Sequence, residues 1–228
     1  MTSVPKSSGP KQAIFEQFAV VAKAVAHPLR LEILEQLAQG ERSVDVIADR
    51  TRVSVANASQ HLQHMRRAGL VAARREGKFV FYRLSEDSVV DLLGALRRVA
   101  EARSAEVERV VRGYFDDRDS LEAVTRPELM ERLKAGVVTV LDVRPEDEFA
   151  LGHVPGALNV PLNALAARLA EFDRGHEIVA YCRGPYCVLS YEAVAMLRAH
   201  GFRARRLEDG LPEWRAAGLP VATAGASS

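Results

Sequence analysis

The sequence predicts two domains in series: a mainly α-helical unit carrying a β-hairpin, then an α/β unit built on a parallel sheet. Three observations carry this prediction. The chain has 228 residues, enough for two modest cores. Apolar residues fall at helical spacing through most of the first half, with an alternating stretch over 71–84. After the polar run Asp116-Asp117-Arg118-Asp119, short and nearly continuous apolar runs take over, as strands covered on both faces require. The polar run marks a boundary. The expected organisation is a disordered leader at 1–11, a first domain at 12–118 and a second at 119–228.

Composition narrows the function classes. With 48% hydrophobic and 27% charged residues, disorder is excluded for the bulk of the chain. No apolar run of about 18 residues exists, so no transmembrane helix is expected. The start, Met1-Thr2-Ser3-Val4-Pro5-Lys6, has no apolar segment of the kind a secretory signal needs. Two cysteines are too few for a disulfide framework, so the expected compartment is the reducing cytoplasm, with both thiols open to chemistry. Charge is unevenly spread. Residues 50–83 hold eight basic side chains against one acid, Glu76, a local excess suited to a polyanion.

In the first half, Ile14, Phe15, Phe18, Val21, Ala22 and Val25 share a helix face. His27-Pro28 breaks that helix, since proline suits a helix start better than its interior. Leu29, Ile33, Leu34 and Leu37 form a second helix, stopped by Gly40. Ser43 caps a third helix and Ser54 a fourth, with Val55, Ala58, Leu62 and Met65 on its buried face and Gly69 at its end. Then comes a hairpin: strand 71–74, a turn at Glu76-Gly77-Lys78, strand 79–84. One long helix is expected over 86–114, with Leu92, Leu93, Leu96, Val99, Ala100, Val107 and Val110 forming an apolar stripe that needs a partner surface.

Two short helices joined by a tight turn and followed by a hairpin describe a winged helix-turn-helix, in which the second helix enters the DNA major groove. Opposite the buried face of the fourth helix stand Ser54, Ala56, Asn57, Ser59, Gln60, Gln63 and His64. Asn and Gln suit adenine edges, and Ala leaves room for a thymine methyl. On the hairpin, Arg74, Arg75 and Lys78 are expected at phosphates, as is His64; His61 reads as structural.

In the second half, strands are expected over 137–143, 178–181 and 205–207, and helices near 126–134, 162–171 and 188–200. Cys182 stands where a buried strand gives way to the loop Cys182-Arg183-Gly184-Pro185-Tyr186-Cys187. Backbone amides of such a loop and the helix start behind it form an anion-stabilising nest, and Arg183 adds positive charge. Both favour a Cys182 thiolate able to attack sulfane sulfur and hold it as a persulfide. A buried structural cysteine is the plain alternative.

Two resemblances follow from these residues. Ala26-His27-Pro28-Leu29-Arg30-Leu31-Glu32-Ile33-Leu34, then Ser59-Gln60-His61-Leu62, Ala68-Gly69-Leu70-Val71, Glu76-Gly77-Lys78 and Tyr82-Arg83-Leu84, resemble the ArsR-type winged-helix regulators over about 12–115. The resemblance implies a homodimer paired through the first helix and the helix after the wing. It also implies promoter repression relieved by an inducer. Metal-sensing relatives carry Cys on the third helix or Asp/His pairs on the last. Here 42–47 lacks Cys and 86–114 lacks His, so no metal is expected. Leu141-Asp142-Val143-Arg144-Pro145, Glu148-Phe149, Gly152-His153-Val154-Pro155-Gly156-Ala157 and Leu207-Glu208-Asp209-Gly210-Leu211 with Trp214 resemble the rhodanese (sulfurtransferase) domain over 121–222. That implies Cys182 as the sulfur-carrying nucleophile, Asp142 and Arg144 as a structural or orienting pair, and 152–161 as scaffold. The family loop reads Cys-x-x-Gly-x-Arg followed by Ser or Thr; here Pro185, Cys187 and Val188 replace the Gly, the Arg and the hydroxyl residue. Efficient thiosulfate turnover is therefore not expected. The second thiol offers Cys182 a partner for a disulfide or a sulfur-bridged loop, a matter the sequence leaves open.

Joined, the halves predict a DNA-binding repressor of double-stranded operator DNA. It is expected to be homodimeric, cofactor-free and away from membranes, with a rhodanese domain that senses or transfers reactive sulfur from a sulfane-sulfur donor through Cys182. The alternative is a sulfurtransferase enzyme whose winged helix serves localisation or feedback. A third reading makes the second domain an inert packing module.

Overall fold

The computed structural model describes residues 9–111, 113–114 and 123–223. Residues 1–8 of the expected leader and the boundary run at 116–119 lie outside them. The chain packs as two compact units, Met1–Val89 and Val90–Ser228.

In the first unit, helix α1 (Pro10–Val25) starts inside the segment expected as leader, with Pro10 at its first turn. Helix α2 (Pro28–Ala38) begins where His27-Pro28 predicts; His27 Nδ1 accepts from Leu29 N at 3.1 Å. Ser43 caps α3 (Val44–Arg50) by accepting from Val46 N at 3.4 Å, and Ser54 caps α4 (Val55–Arg67) by accepting from Asn57 N at 3.2 Å. Strands β2 (Val71–Glu76) and β3 (Phe79–Leu84) form the hairpin in the register Val71↔Leu84 to Glu76↔Phe79. The first strand runs two residues past the predicted end, because the turn needs only Gly77, at φ 58°, and Lys78. An unpredicted strand β1 (Arg42–Ser43) pairs with β3, giving the antiparallel order β1-β3-β2.

Ile33, Leu34, Leu37, Ile47, Ala58, Leu62 and Met65 form the buried centre of this unit. Val55, expected on the buried face of α4, is instead 48% exposed. It sits in the first turn of the helix, short of the Ala58, Leu62 and Met65 stripe that meets the core.

The turn between α3 and α4 holds Arg52 at φ 56°, the left-handed region that costs a side-chain-bearing residue about 1–2 kcal/mol. Arg52→Gly is accordingly expected to raise the unfolding free energy by about 1 kcal/mol. Urea denaturation of the full chain measures this, and an unchanged or lower midpoint contradicts it.

The helix expected over 86–114 is two helices, α5 (Ser88–Arg103) and α6 (Ala105–Val111). Ser104 separates them: its hydroxyl accepts from Val107 N at 3.3 Å, the bond of a helix-starting cap.

The second unit is built on the strands β4 (Val138–Asp142), β5 (Leu158–Asn159), β6 (Glu177–Tyr181) and β7 (Ala204–Arg206), all parallel in the order β5-β4-β6-β7. Alternate residues enter two cores, one on each face. Leu141, Ile178, Ala180 and Cys182 join one; Val140, Val179, Tyr181 and Trp214 join the other. Around the sheet run α7 (Arg126–Ala135), α8 (Glu146–Leu151), α9 (Leu162–Leu165), α10 (Val188–Ala199) and α11 (Leu211–Ala216). The helix expected over 162–171 is α9 followed by a 3-10 turn, Ala166–Glu171. Among the described residues no helix is long and apolar enough to cross a membrane.

Candidate functional site

Strand β6 ends one residue before Cys182, and α10 starts one residue after Cys187. Both cysteines point into the same apolar core and are 1% and 8% exposed. Their Cα atoms lie 6.1 Å apart, within the reach of about 4.4–6.8 Å that a disulfide spans, and their sulfurs are bonded. The loop between them is braced. Cys187 N donates to Gly184 O at 3.1 Å, and Leu211 N donates to Cys182 O at 3.3 Å. Gly210 lies against the loop so closely that a Cβ there would stand 2.4 Å from the Arg183 carbonyl carbon and oxygen and from Gly184 N.

Arg183, expected to add positive charge beside Cys182, is held by a carboxylate. Its guanidinium forks onto Glu148, with N–O distances of 2.8–3.2 Å, and Glu148 is fully buried. A carboxylate sealed from water demands such a partner. Asp142 and Arg144 are likewise both fully buried and bonded to each other, the shortest contact being 2.6 Å. Arg144 also donates to the Gly152 carbonyl at 2.7 Å, and the Asn159 amide bridges the Asp142 and Arg144 carbonyls. Beside them the Tyr181 hydroxyl accepts from Val154 N at 3.0 Å. Burial, then Asp142, pushes the Tyr181 phenol well above its ordinary range. Also in the second unit, the Tyr186 hydroxyl donates to Glu101 at 2.5 Å; burial first and that carboxylate next raise its phenol.

On α4, Ala56, Gln60, Gln63 and His64 are exposed on one face, while Asn57 and Ser59 are half-buried and Ser54 serves as the cap. Gln63 donates to the Ser59 hydroxyl at 3.3 Å. On the hairpin, Arg75 donates to the Gly77 carbonyl and Lys78 lies 5.2 Å from the Phe79 ring centre. Arg74 is already engaged: it forks onto Glu41 at 2.8 and 3.0 Å, bonds Glu76 at 2.5 Å and covers the Phe81 ring. Glu41 lies outside the 50–83 stretch, so the local charge count missed it.

His61 stands 4.6 Å, ring to ring, from His27. Burial first, then His27, Arg30 and His64, hold its imidazole below the ordinary value of 6.5. The folded chain therefore keeps His61 neutral where the unfolded chain has begun to bind a proton. Stability from this group is complete above pH 6.5 and is lost as pH falls toward the lower folded value. A series of urea titrations between pH 7.5 and 5 is expected to show the decline, and His61→Gln to flatten it; an unflattened slope assigns the decline elsewhere. Among the described residues, no three His, Cys, Asp or Glu side chains converge to hold a metal ion.

The rhodanese-like domain family matches residues 125–217, and a helix-turn-helix domain family matches residues 25–74. Over 211 residues, 92% of each chain, the sequence is 46% identical to the HTH-type transcriptional regulator Rv0324 of Mycobacterium tuberculosis. The chain belongs to the ArsR-type HTH transcriptional regulators that carry a rhodanese-like domain. Each half of this regulator also has shorter relatives. A biofilm growth-associated repressor of Agrobacterium fabrum is 42% identical over 80 residues, covering 35% of this chain and 68% of that protein. A sulfurtransferase of Allochromatium vinosum is 34% identical over 85 residues, covering 37% of this chain and 78% of that protein. In the regulator, the residues that brace the sulfur loop are the ones sequence reasoning passed over. Glu148 and Gly210 were noted only as parts of a motif, and nothing local links either to a cysteine 34 residues later or 28 earlier.

Proposed function

We propose that this regulator represses transcription from operator DNA as a cytoplasmic homodimer, and that sulfane sulfur taken up at Cys182 releases it. The observation that carries the reading is the pair of buried sulfurs, Cys182 and Cys187, at bonding distance on one braced loop. In the reduced pair, the Cys182 thiolate attacks the outer sulfur of a persulfide R–S–SH. The donor S–S bond breaks, RS⁻ leaves and Cys182–S–SH forms. The Cys187 thiolate then attacks Cys182 Sγ, HS⁻ departs, and the disulfide closes. The family's sulfonate-holding Arg and hydroxyl are replaced here by Cys187 and Val188, which favours a one-time response over thiosulfate turnover.

Exposed Gln60 and Gln63, with half-buried Asn57, suit adenine edges; Ala56 suits a thymine methyl; Arg75 and Lys78 suit phosphates, with Arg74 first exchanging its carboxylate partners. Ile14, Phe15 and Phe18 on α1, and Leu96 and Val99 on α5, are large apolar side chains left at the surface, which supports pairing of two copies. The sulfurtransferase and repressor relatives support the two halves of the reading.

The test is intact-protein mass spectrometry after persulfide exposure, with operator gel shifts on the same samples. The wild type is expected to pass from dithiol to disulfide and lose the operator. Cys182→Ser keeps the operator and ignores persulfide. Cys187→Ser stops at the Cys182 persulfide. Sulfur uptake with unchanged operator binding overturns the sensing reading and favours the enzyme, which sustained turnover with a cyanide acceptor then confirms.

A further inference from the structure

A groove of about 610 Å³ opens at the C-terminal ends of β4 and β5, beside the start of α10, where ligands of parallel α/β sheets bind. Val143, Leu162, Ala164 and Leu189 form its apolar wall. Val143 belongs to the buried cluster that contains Cys182 and Cys187, and Leu162, Ala164 and Leu189 pack directly on that cluster. The apolar wall of the groove is thus part of, or packed on, the buried cluster that also holds the sulfur pair.

The charges in its lining carry one sign. Among the described residues, Glu146 and Asp147 are the only ionisable ones in the lining. The loop's own cation, Arg183, is committed to Glu148. Arg168, close enough to interact with Glu146, forks onto Glu171 and donates to the Asn159 carbonyl. A second cavity in this unit meets the sulfur loop at Pro185 and Tyr186; its four arginines, Arg97, Arg98, Arg126 and Arg206, are matched by Glu101, Glu208 and Asp209, and none of its lining residues belongs to the apolar cluster that holds the sulfurs.

We infer that this groove admits the carrier group of an organic persulfide whose carbon skeleton is apolar and bears no negative charge, and that it discriminates against anionic donors. The inference rests on the proposed uptake of sulfur at Cys182 and names its donor class. The transfer balances as above: the Cys182 thiolate takes the outer sulfur with its proton, the donor S–S bond breaks, and RS⁻ leaves through the groove to be protonated by water. Apolar contact with Leu162 and Leu189 holds R, while the two carboxylates at the rim repel carriers of their own sign.

The experiment follows sulfur addition to the reduced full-length protein by mass spectrometry. The donors are N-acetylcysteamine persulfide, with an uncharged carrier, mercaptosuccinate persulfide, with two carboxylates, and thiosulfate. Cys182→Ser serves as the blank. The uncharged donor is expected to load Cys182 at least about tenfold faster than either anion, a ratio worth about 1.4 kcal/mol. Leu162→Glu is expected to slow the uncharged donor about tenfold, and the Glu146→Gln/Asp147→Asn pair to narrow the gap for mercaptosuccinate persulfide. Equal or faster loading by the anions, or a gap that neither set of substitutions changes, overturns the donor class and leaves sulfur uptake standing. No loading from any donor overturns the uptake reading itself, and the inference with it.

Discussion

Gly210→Ala is expected to destabilise the second unit by about 3 kcal/mol and to dislodge the sulfur loop. The added Cβ would sit 2.4 Å from three backbone atoms of Arg183 and Gly184, a separation at which one segment must move. The obstacle is main chain, so no side-chain rotation relieves it. Movement on the loop side strains the bond from Leu211 N to Cys182 O and the fork from Arg183 to Glu148. Movement on the other side disturbs the cap of α11, where Gly210 N donates to Glu213 at 3.1 Å. Denaturation with urea gives the loss in stability, and alkylation of the reduced cysteines gives the loss of shielding. A variant with wild-type midpoint and wild-type alkylation rate would sink the close-approach argument.

Arg144→Met is expected to cost about 3–5 kcal/mol, because it leaves the Asp142 carboxylate buried without its cation. Asp142 and Arg144 are both wholly removed from water, and no solvent can replace the lost partner. The same variant also removes the donor that holds the Gly152 carbonyl. Asp142→Leu alone is expected to be similarly harmful, for the opposite charge. The double variant Asp142→Leu/Arg144→Met is expected to be more stable than the sum of the two losses predicts, since it buries no unmatched charge. Strict additivity in urea denaturation would show that packing, and not the ion pair, sets the cost.

Where a local rule acts, the fold was readable from the residues. His27, Ser43 and Ser54 cap the helices they precede, and the apolar runs at 137–143 and 178–181 are the central strands. Where structure comes from distant parts of the chain or from very short elements, it was not. Strand β1 has two residues, too few to show alternation, and exists because β3 offers it an edge. Helices α8 and α11 have six residues each, under two turns, so no helical period can be counted. Ser104 breaks a helix that apolar spacing alone carries straight through. The sulfur loop was legible as a position but not as an environment. Cys182 and Cys187 stand out by type and spacing, whereas Glu148 draws Arg183 across 35 residues of chain and Gly210 reaches the loop from the far end of β7. The wing shows the same limit, since Glu41 reaches Arg74 across 33 residues.

The near-complete burial of both sulfurs sets a tempo as well as a chemistry. A reductant that must touch Cys182 or Cys187 has to wait until the loop swings out, because only 1% and 8% of those residues meet solvent. Above a modest concentration, adding more reductant then gains nothing: recovery runs at the opening rate of the loop. On the proposed reading the closed pair is a latch with its own clock: the promoter is expected to stay in its altered state for a time fixed by six residues of backbone after the sulfur itself has gone.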